Sequence, residues 1–374
     1  MRGQRGHIRR RGKNSFEIKF STGIGAERKT HYLSIKGSRA DAQARLTQEL
    51  ARVGEGSFAT PSKVTVGDFA RKRVAAWADG GEITGRTATR YHQILKYQIE
   101  PHLGGTLLQK LGVIALRDWH GKLRQQGLAV RTIRQVHRLL HKVLAEAERD
   151  GMITKNVARL QHAPKRNVDE IEEITIVRDV PGLLAKLAGD PLYYPLAVLG
   201  VYCGLRLGEV LALRWGRVHL DQQPRIEIVE ARDGANFKKP KSRAGERTIS
   251  LPAIVVETLR AHRVAQMELR LKMGAGRLGD ADFLFQRLDG RPFLVTSVSR
   301  DWARTMDQIG MGEITYHALR HTHASQLIDA GLPITVISKR LGHSSPAITL
   351  SVYAHCFRDD DRAAAAAIDA ALKG

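Results

Sequence analysis

Apolar and polar positions along the chain change period twice. In the first sixty residues they alternate: "HIRRRG", "SFEIKFST" and "RKTHYLSIKG" set β-formers against charge, which predicts three short strands. "SRADAQARLTQELARVGEG" follows with Ala and Leu at helical spacing, Ser38 as N-cap and Gly54 as its end. Pro61 and Ser62 in "FATPSKV" mark a linker. From residue 64 to about 165 the period becomes helical. "TVGDFARKRVAAWAD", "TGRTATRYHQILKYQIEPHLG", "LGVIALRDWHGKLRQQG" and "AVRTIRQVHRLLHKVLAEAERDGMI" each pair an apolar stripe with a basic face, with breaks at Gly104, Gly127 and Gly151. This reads as a basic bundle of four or five helices, closed by a second linker, "HAPKRNVDEIEE".

From about residue 170 helices dominate again, interrupted by two alternating runs, "RIEIVEA" and "RTISLP". The Lys- and Gly-rich stretch "RDGANFKKPKSRAGE" between them reads as the turn of a hairpin. "RAAAAAIDAALKG" is a strong helix former, expected to pack on a neighbouring surface. There are no internal repeats. The expected fold class is mainly α with small β-sheets (α+β), in three domains: a β-β-β-α unit at 1–60, a helical bundle at 61–168, and a mixed, mostly helical domain at 169–374 that ends in the alanine-rich helix.

Composition narrows the partner. Of 374 residues 43% are hydrophobic, enough for real cores, yet 60 Lys+Arg against 38 Asp+Glu leave a charge of +22. A basic surplus spread over the whole length points to a polyanion, and nucleic acid is the first choice; a ribosome-associated or simply basic soluble protein is the alternative. The basic strands at the N-terminus fit a ribbon that enters a DNA groove, or a solvated sheet whose charges discourage aggregation. No run of about 18 apolar residues exists, so no membrane span is expected, and no apolar segment follows the basic start as in a signal peptide. Cys203 and Cys356 lack metal-type spacing and fit reduced thiols of a cytosolic protein.

Four separated pieces of the last domain carry candidate chemistry. They are "YCGLRLGEVLALRW" with Arg206 at the start of an amphipathic helix and Glu209, "KPKSRAGERTISL" with Lys241, "YHALRHTHA" with His317, Arg320 and His321, and "LGHSSPAITLSVYAH" with His343 and Tyr353. Singly, each has a structural explanation: a helix salt bridge, a solvated turn lysine, a helix cap, a core tyrosine. His317 and His321 have the i,i+4 spacing of a helical zinc pair. Ala318, however, stands where the zincin pattern needs Glu, and Arg320 between them repels a cation. A phosphate clamp fits better. Two arginine forks and two histidines surround one phosphodiester, a tyrosine supplies a nucleophile, and a lysine on a hairpin protonates the leaving 5′-oxygen.

Together these pieces resemble the tyrosine recombinase (phage integrase) family, whose pattern is "TGLRxGE", a hairpin Lys, "HxLRH", "LGH" and a Tyr nine or ten residues later. Here they stand as "YCGLRLGE", "KPKSRAGER", "HALRH", "LGHSS" and "SVYAH", in the same order. The resemblance implies that Arg206, Lys241, His317, Arg320 and His343 bind and activate the scissile phosphate and that Tyr353 attacks it. It makes Glu209 a buried helper and His321 a supporting neighbour. Lys238 and Lys239 compete with Lys241, which is favoured because it lies six residues before Arg247. One departure is Tyr202-Cys203 where many relatives carry Thr before Gly.

By the same resemblance the chain is expected to be a site-specific DNA integrase that inserts or excises a mobile element through a 3′-phosphotyrosyl link. No metal, ATP or other cofactor is implied. Residues 1–60 would bind arm-type DNA sites, residues 61–168 the core site, and residues 169–374 would carry catalysis. A homotetramer on double-stranded DNA, an excisionase and a DNA-bending host factor are the implied partners, in the cytoplasm of a bacterial host, close to the nucleoid. Type IB topoisomerase-like relaxation and a DNA-binding regulator without catalysis are the other readings.

Overall fold

The computed structural model describes residues 6–22, 28–54, 62–164, 174–239, 245–354 and 361–372. The chain forms two compact units, Met1–Ile171 and Glu172–Gly374.

The first unit opens with an antiparallel sheet of β1 (His7–Gly12), β2 (Ser15–Thr22) and β3 (Lys29–Lys36), β2 in the middle. Strict alternation turns Phe16, Ile18 and Phe20 to one face, where Ala42 and Leu46 of α1 (Arg39–Gly54) cover them. Ser38 caps α1, its hydroxyl accepting from the Asp41 amide at 3.2 Å, as its position predicts. The other face of the sheet is open. Lys19 pairs with His7 on one side and with the exposed Tyr32 on the other.

A second apolar cluster joins α2 (Val66–Asp79), α3 (Gly85–Ile94), α4 (Glu100–Leu103), α5 (Val113–Gln125), α6 (Val130–Arg149) and α7 (Val157–Leu160). The pattern predicts one helix from 84 to 104. The structure breaks it with a π turn at Leu95–Ile99. Pro101 explains the break, because it has no N–H for the next i−4 carbonyl and is accommodated near the start of α4. The Gln98 carbonyl in this turn accepts from the Trp119 indole at 2.7 Å, which ties α5 to it. Parts of both linkers, 58–61 and 165–173, lie outside the described residues.

In the second unit α9 (Tyr193–Cys203) is buried nearly all round, as its uniform apolarity requires. It packs with α8 (Val180–Leu187) and with later helices α11 (Ala253–Lys272), α12 (Val295–Gln308) and α13 (Tyr316–Asp329) in one core. A smaller cluster joins α13, α14 (Ile334–Leu341) and α15 (Pro346–Tyr353).

Two expectations are corrected here. The helix begun by Arg206 is a single turn, α10 (Leu207–Val210), because the following Leu213 and Trp215 leave it to pair with the 282–284 segment. The predicted hairpin exists, with β5 (Arg225–Ile228) between β4 (Val218–His219) and β8 (Arg247–Ser250), but its turn is itself structured. β6 (Ala231–Asp233) and β7 (Asn236–Lys238) form a hairpin of their own around Gly234 at φ 64°. The terminal helix, α16 (Asp361–Leu372), leaves Ile368 and Leu372 exposed. Among the described residues no helix is long and apolar enough to cross a membrane.

The buried pair His120–His137 sets a pH dependence. The His137 Nε2–H donates to the Ala158 carbonyl (3.1 Å), so its Nδ1 accepts from His120 Nε2–H at 3.1 Å. Burial, then His137 and Arg124, lower the His120 pKa to about 4, and burial lowers that of His137. Both rings are thus neutral when folded and protonate near 6.5 when unfolded. The stability they contribute is full above that value and is lost as pH falls toward 4. Melting temperatures measured by circular dichroism should fall from pH 6.5 to 4.5, and less steeply in His120→Gln than in the parent; parallel slopes would show that this pair is not a proton sink.

Candidate active site

Helix punctuation places each candidate residue. Arg206 precedes the single-turn α10, and Glu209 returns a carboxylate oxygen to the Arg206 amide at 2.9 Å, a reciprocal cap. Thr315 caps α13 and so sets the register of His317, Arg320 and His321. In "LGHSSP", Gly342 ends α14 with φ 67°, while Ser345 caps α15 and Pro346 starts it. His343 is held in the short link between them.

Glu209 is the hub of the cations. Arg247 grips it with both ends of its fork, at 3.1 and 2.9 Å, and Arg206 adds a bond at 2.8 Å. Burial alone raises the Glu209 pKa, but Arg247 and then Arg206 outweigh it and hold the group at about 2. Arg247 also donates to the Arg340 carbonyl at 2.7 Å, so α14 is tied to the same carboxylate.

Arg320 is buried and makes no ion pair with a carboxylate among the described residues. Its Nη1 donates to the Gly204 carbonyl at 2.5 Å and its Nη2 to the Leu341 carbonyl at 2.6 Å. These are the C-terminal ends of α9 and α14, each turned by a left-handed glycine, and the negative ends of the helix dipoles stabilise the cation. Burial, then Arg206, lower its pKa to about 9, so it stays charged at neutral pH. The same Nη2 lies 3.0 Å from His343 Nε2. A guanidinium only donates, so Nε2 accepts and the protonated Nδ1 donates to Thr349 Oγ1 at 2.8 Å. Burial, then Arg320 and Arg206, take the His343 pKa to about 4.

The three histidines of "YHALRHTHA" do three different things. His317 faces the site, and its ring stands edge-on to His321 at 4.5 Å. His321 Nδ1 lies 2.7 Å from the Tyr353 hydroxyl, and burial, then His317 and Arg320, lower its pKa to about 4. His323 is structural: its Nδ1–H donates to the Val201 carbonyl at 2.8 Å and its Nε2 accepts from Arg340 at 3.1 Å. Tyr353 is buried in the small α13–α15 cluster.

Arg206, His317, Arg320 and His343 line one cavity of about 790 Å³, with Glu209 in its wall. Lys238 and Lys239 reach it from β7 and its end; Lys238 is ion-paired with Asp233 at 2.5 Å. Lys241 lies outside the described residues. Sequence reading missed three arginines. Arg247 and Arg340 brace the site, and Arg232 of β6 lines the cavity. No local motif marks them: Arg247 and Arg340 reach side-chain partners 38 and 17 residues away, and Arg232 stacks on Phe237. A groove of about 920 Å³ along β4 and α11 is larger but contains none of these residues. Among the described residues no group of His, Cys, Asp or Glu could hold a metal ion, and burial pushes the Cys203 thiol up to about 12; Cys356 lies outside the described residues.

Residues 180–359 match the phage integrase family. An integrase from Streptomyces ambofaciens is 26% identical over 348 residues, spanning 90% of this chain and 88% of that protein. The Tn1549 transposon integrase, solved in complex with transposon right-end DNA, has a TM-score of 0.68 at 20% identity and covers 82% of this chain and 100% of its own. The lambda integrase dimer bound to a COC′ core site has a TM-score of 0.57 at 17% identity, covering 92% of this chain and 96% of its own. At these identities the structural likeness establishes the mainly helical fold with its small sheets, and the sequence matches supply the rest: the chain belongs to the phage integrase family, the tyrosine recombinases that break and rejoin DNA.

Proposed function

We propose that this chain is the integrase of a phage or integrative element, recombining DNA at specific sites through Tyr353. The observation that carries the reading is one cavity wall holding Arg206, Arg320, His317 and His343, with a hydroxyl waiting behind it on His321. Arg206, Arg320 and His317 are donors aimed at the non-bridging oxygens of one phosphodiester, where charge grows in the transition state, and His343, accepting from Arg320, holds that arginine in place. The Tyr353 oxygen attacks phosphorus, its proton passing to neutral His321. The bond to the 5′-oxygen breaks, and a lysine of the β6–β7 hairpin region, Lys241 by its spacing from Arg247, protonates that oxygen. A 5′-hydroxyl of the partner duplex then attacks the 3′-phosphotyrosyl link and restores the phenol. The link conserves the bond, so the cycle needs neither ATP nor a metal. Because Tyr353 is buried in the DNA-free chain, cleavage begins with a shift of the last turn of α15 toward the cavity.

Residues 169–374 act as the catalytic domain and 61–168 as the core-site domain. The exposed Arg90, Lys96 and Arg138 of the helical bundle support the latter role. Residues 1–60 act as the arm-site domain, supported by the open sheet face carrying Lys19 and Tyr32. Four protomers on two duplexes form the working assembly, with α16 docking on a neighbour. An excisionase and a DNA-bending host factor set direction.

Tyr353→Phe should fold and bind a nicked core-site duplex yet form no covalent protein–DNA adduct on a denaturing gel. An adduct from that variant would place the nucleophile elsewhere. His321→Ala should slow adduct formation while leaving DNA affinity unchanged; an unaltered cleavage rate would remove His321 from the proton path.

Arg206→Lys and Arg320→Lys keep charge but lose the fork. Single-turnover cleavage should fall by about 10²-fold or more, the scale of losing one transition-state donor, with DNA affinity largely kept. Equal losses in binding and cleavage would assign them to ground-state binding alone.

Lys19→Glu with Lys36→Glu should reduce the slope of log K against log salt by about 2 on full attachment sites, near one phosphate per removed cation. Binding to core-only DNA should be unchanged. The same change on both DNAs would refute an arm-specific sheet.

A further inference from the structure

Arg232 is the cavity residue that the phosphate clamp leaves unexplained. It lies on β6 with 8% of its surface exposed, and its Nε is buried without a hydrogen-bond partner. No described carboxylate pairs with it. The two acids of the cavity wall are committed elsewhere, Asp233 to Lys238 and Glu209 to Arg247 and Arg206. Among the described residues its only support is aromatic. The guanidinium stands 4.9 Å over Phe237, Phe237 stacks on Phe283 at 5.4 Å, and Arg214 lies against both rings, 4.1 Å from Phe283 and 5.6 Å from Phe237. Of the two arginines on this stack Arg214 is neutralised, since it bonds Glu230 and the Ala281 carbonyl; Arg232 is not. A buried cation without an anion is costly, and natural structures rarely keep one without a use.

Its position is also fixed. A Cβ at Gly208 would sit 2.5 Å from the Arg232 carbonyl oxygen, so β6 is seated directly on the single turn that begins at Arg206. The hairpin cannot drift from the clamp without losing that contact. A phosphodiester has two non-bridging oxygens, and the Arg206 and Arg320 forks already match both. A third fork in the same cavity therefore suits a different phosphate.

We propose that Arg232 is a DNA-phosphate ligand, taking a phosphodiester of the cleaved strand next to the one held by Arg206 and Arg320. The role rests on the recombinase reading of this cavity and extends it: Arg232 sets the register of the strand. Burial lowers the Arg232 pKa, and an incoming phosphate would reverse that effect.

The test is a set of core-site duplexes, each with one phosphate near the cleavage point made neutral as a methylphosphonate. Equilibrium binding is measured for the parent, Arg232→Met and Arg232→Lys. Met keeps an unbranched stem that stacks on Phe237 but carries no charge. Arg232→Met should bind the unmodified duplex about 10- to 100-fold more weakly, the scale of a charged hydrogen bond. One methylphosphonate beside the scissile position should weaken the parent by a similar factor and Arg232→Met not at all, with Arg232→Lys between them. Without DNA the Met variant should melt at the same or a higher temperature, because an uncompensated buried charge is gone. If every methylphosphonate weakens Arg232→Met as much as the parent, or if Arg232→Met melts lower and binds unchanged, Arg232 is a structural clamp and the proposal fails. Should Arg232→Met not fold, an unchanged methylphosphonate profile in Arg232→Lys overturns it equally. The binding readout does not require strand cleavage. A parent protein that forms no adduct on an unmodified nicked duplex would instead count against the recombinase reading.

Discussion

The site depends on one buried carboxylate. Arg206, Arg247 and Arg320 converge on a small volume, and like charges at such range repel strongly in a low-dielectric interior. Glu209 makes the arrangement possible: it accepts two bonds from Arg247 and two from Arg206, one of them from the backbone amide. Arg247 has only 4% of its side chain exposed, so deleting Glu209 would strand a buried cation, a change of about 3–5 kcal/mol for pairs of this kind. The same carboxylate caps α10, so the electrostatics and the local backbone share one residue. Arg247 in turn holds α14 through the Arg340 carbonyl, which brings the Gly342–His343 link to the cavity.

Arg320 shows a second way to bury a cation. It faces two helix C-termini, whose carbonyls have no intrahelical partner and carry partial negative charge. Gly204 and Gly342 are required because both ends turn through the left-handed region, and at Gly204 a side chain would also strike His323, 2.5 Å from the position of its Cβ. The arginine is thus compensated by dipoles and not by a carboxylate. In the proposed function its charge is left to meet a phosphate, and a carboxylate partner would compete for that role. His343, neutral and accepting from Arg320, completes this side with its remaining N–H fixed by Thr349.

Much of this was legible in the sequence because helix signals are local. Ser38 at the start of α1 and Gly104, Gly127 and Gly151 after α4, α5 and α6 mark boundaries through single-residue physics. The order of the four motifs pointed to one site, and Arg206, His317, Arg320 and His343 line one cavity, whereas Tyr353 and His321 are not in its lining. What was not legible depends on distant pairing. The one-turn length of α10 follows from Leu213 and Trp215 bonding to residues 70 or so positions on. The inner hairpin was hidden because three-residue strands carry no measurable alternation. Arg232, Arg247 and Arg340 looked like any of the chain's sixty basic residues until their environments were known.

Tyr353 packs in the small α13–α15 cluster and does not line the cavity of the proposed phosphate cage, and this separation has a chemical consequence. The Tyr353 hydroxyl is held on His321, a ring that burial, then His317 and Arg320, keep neutral. A neutral imidazole accepts a phenolic proton, whereas a protonated one could not. In the proposed reaction the Arg320 charge that meets the phosphate thus also helps burial to keep the proton acceptor in its useful form. When a phosphodiester enters, it neutralises part of that field, and the lowered pKa of His321 should rise toward its ordinary value. The imidazole then becomes a stronger base at the moment when the phosphate is in place and the phenol must give up its proton. In the proposed reaction substrate charge thus couples occupancy of the cavity to activation of a nucleophile that is otherwise buried.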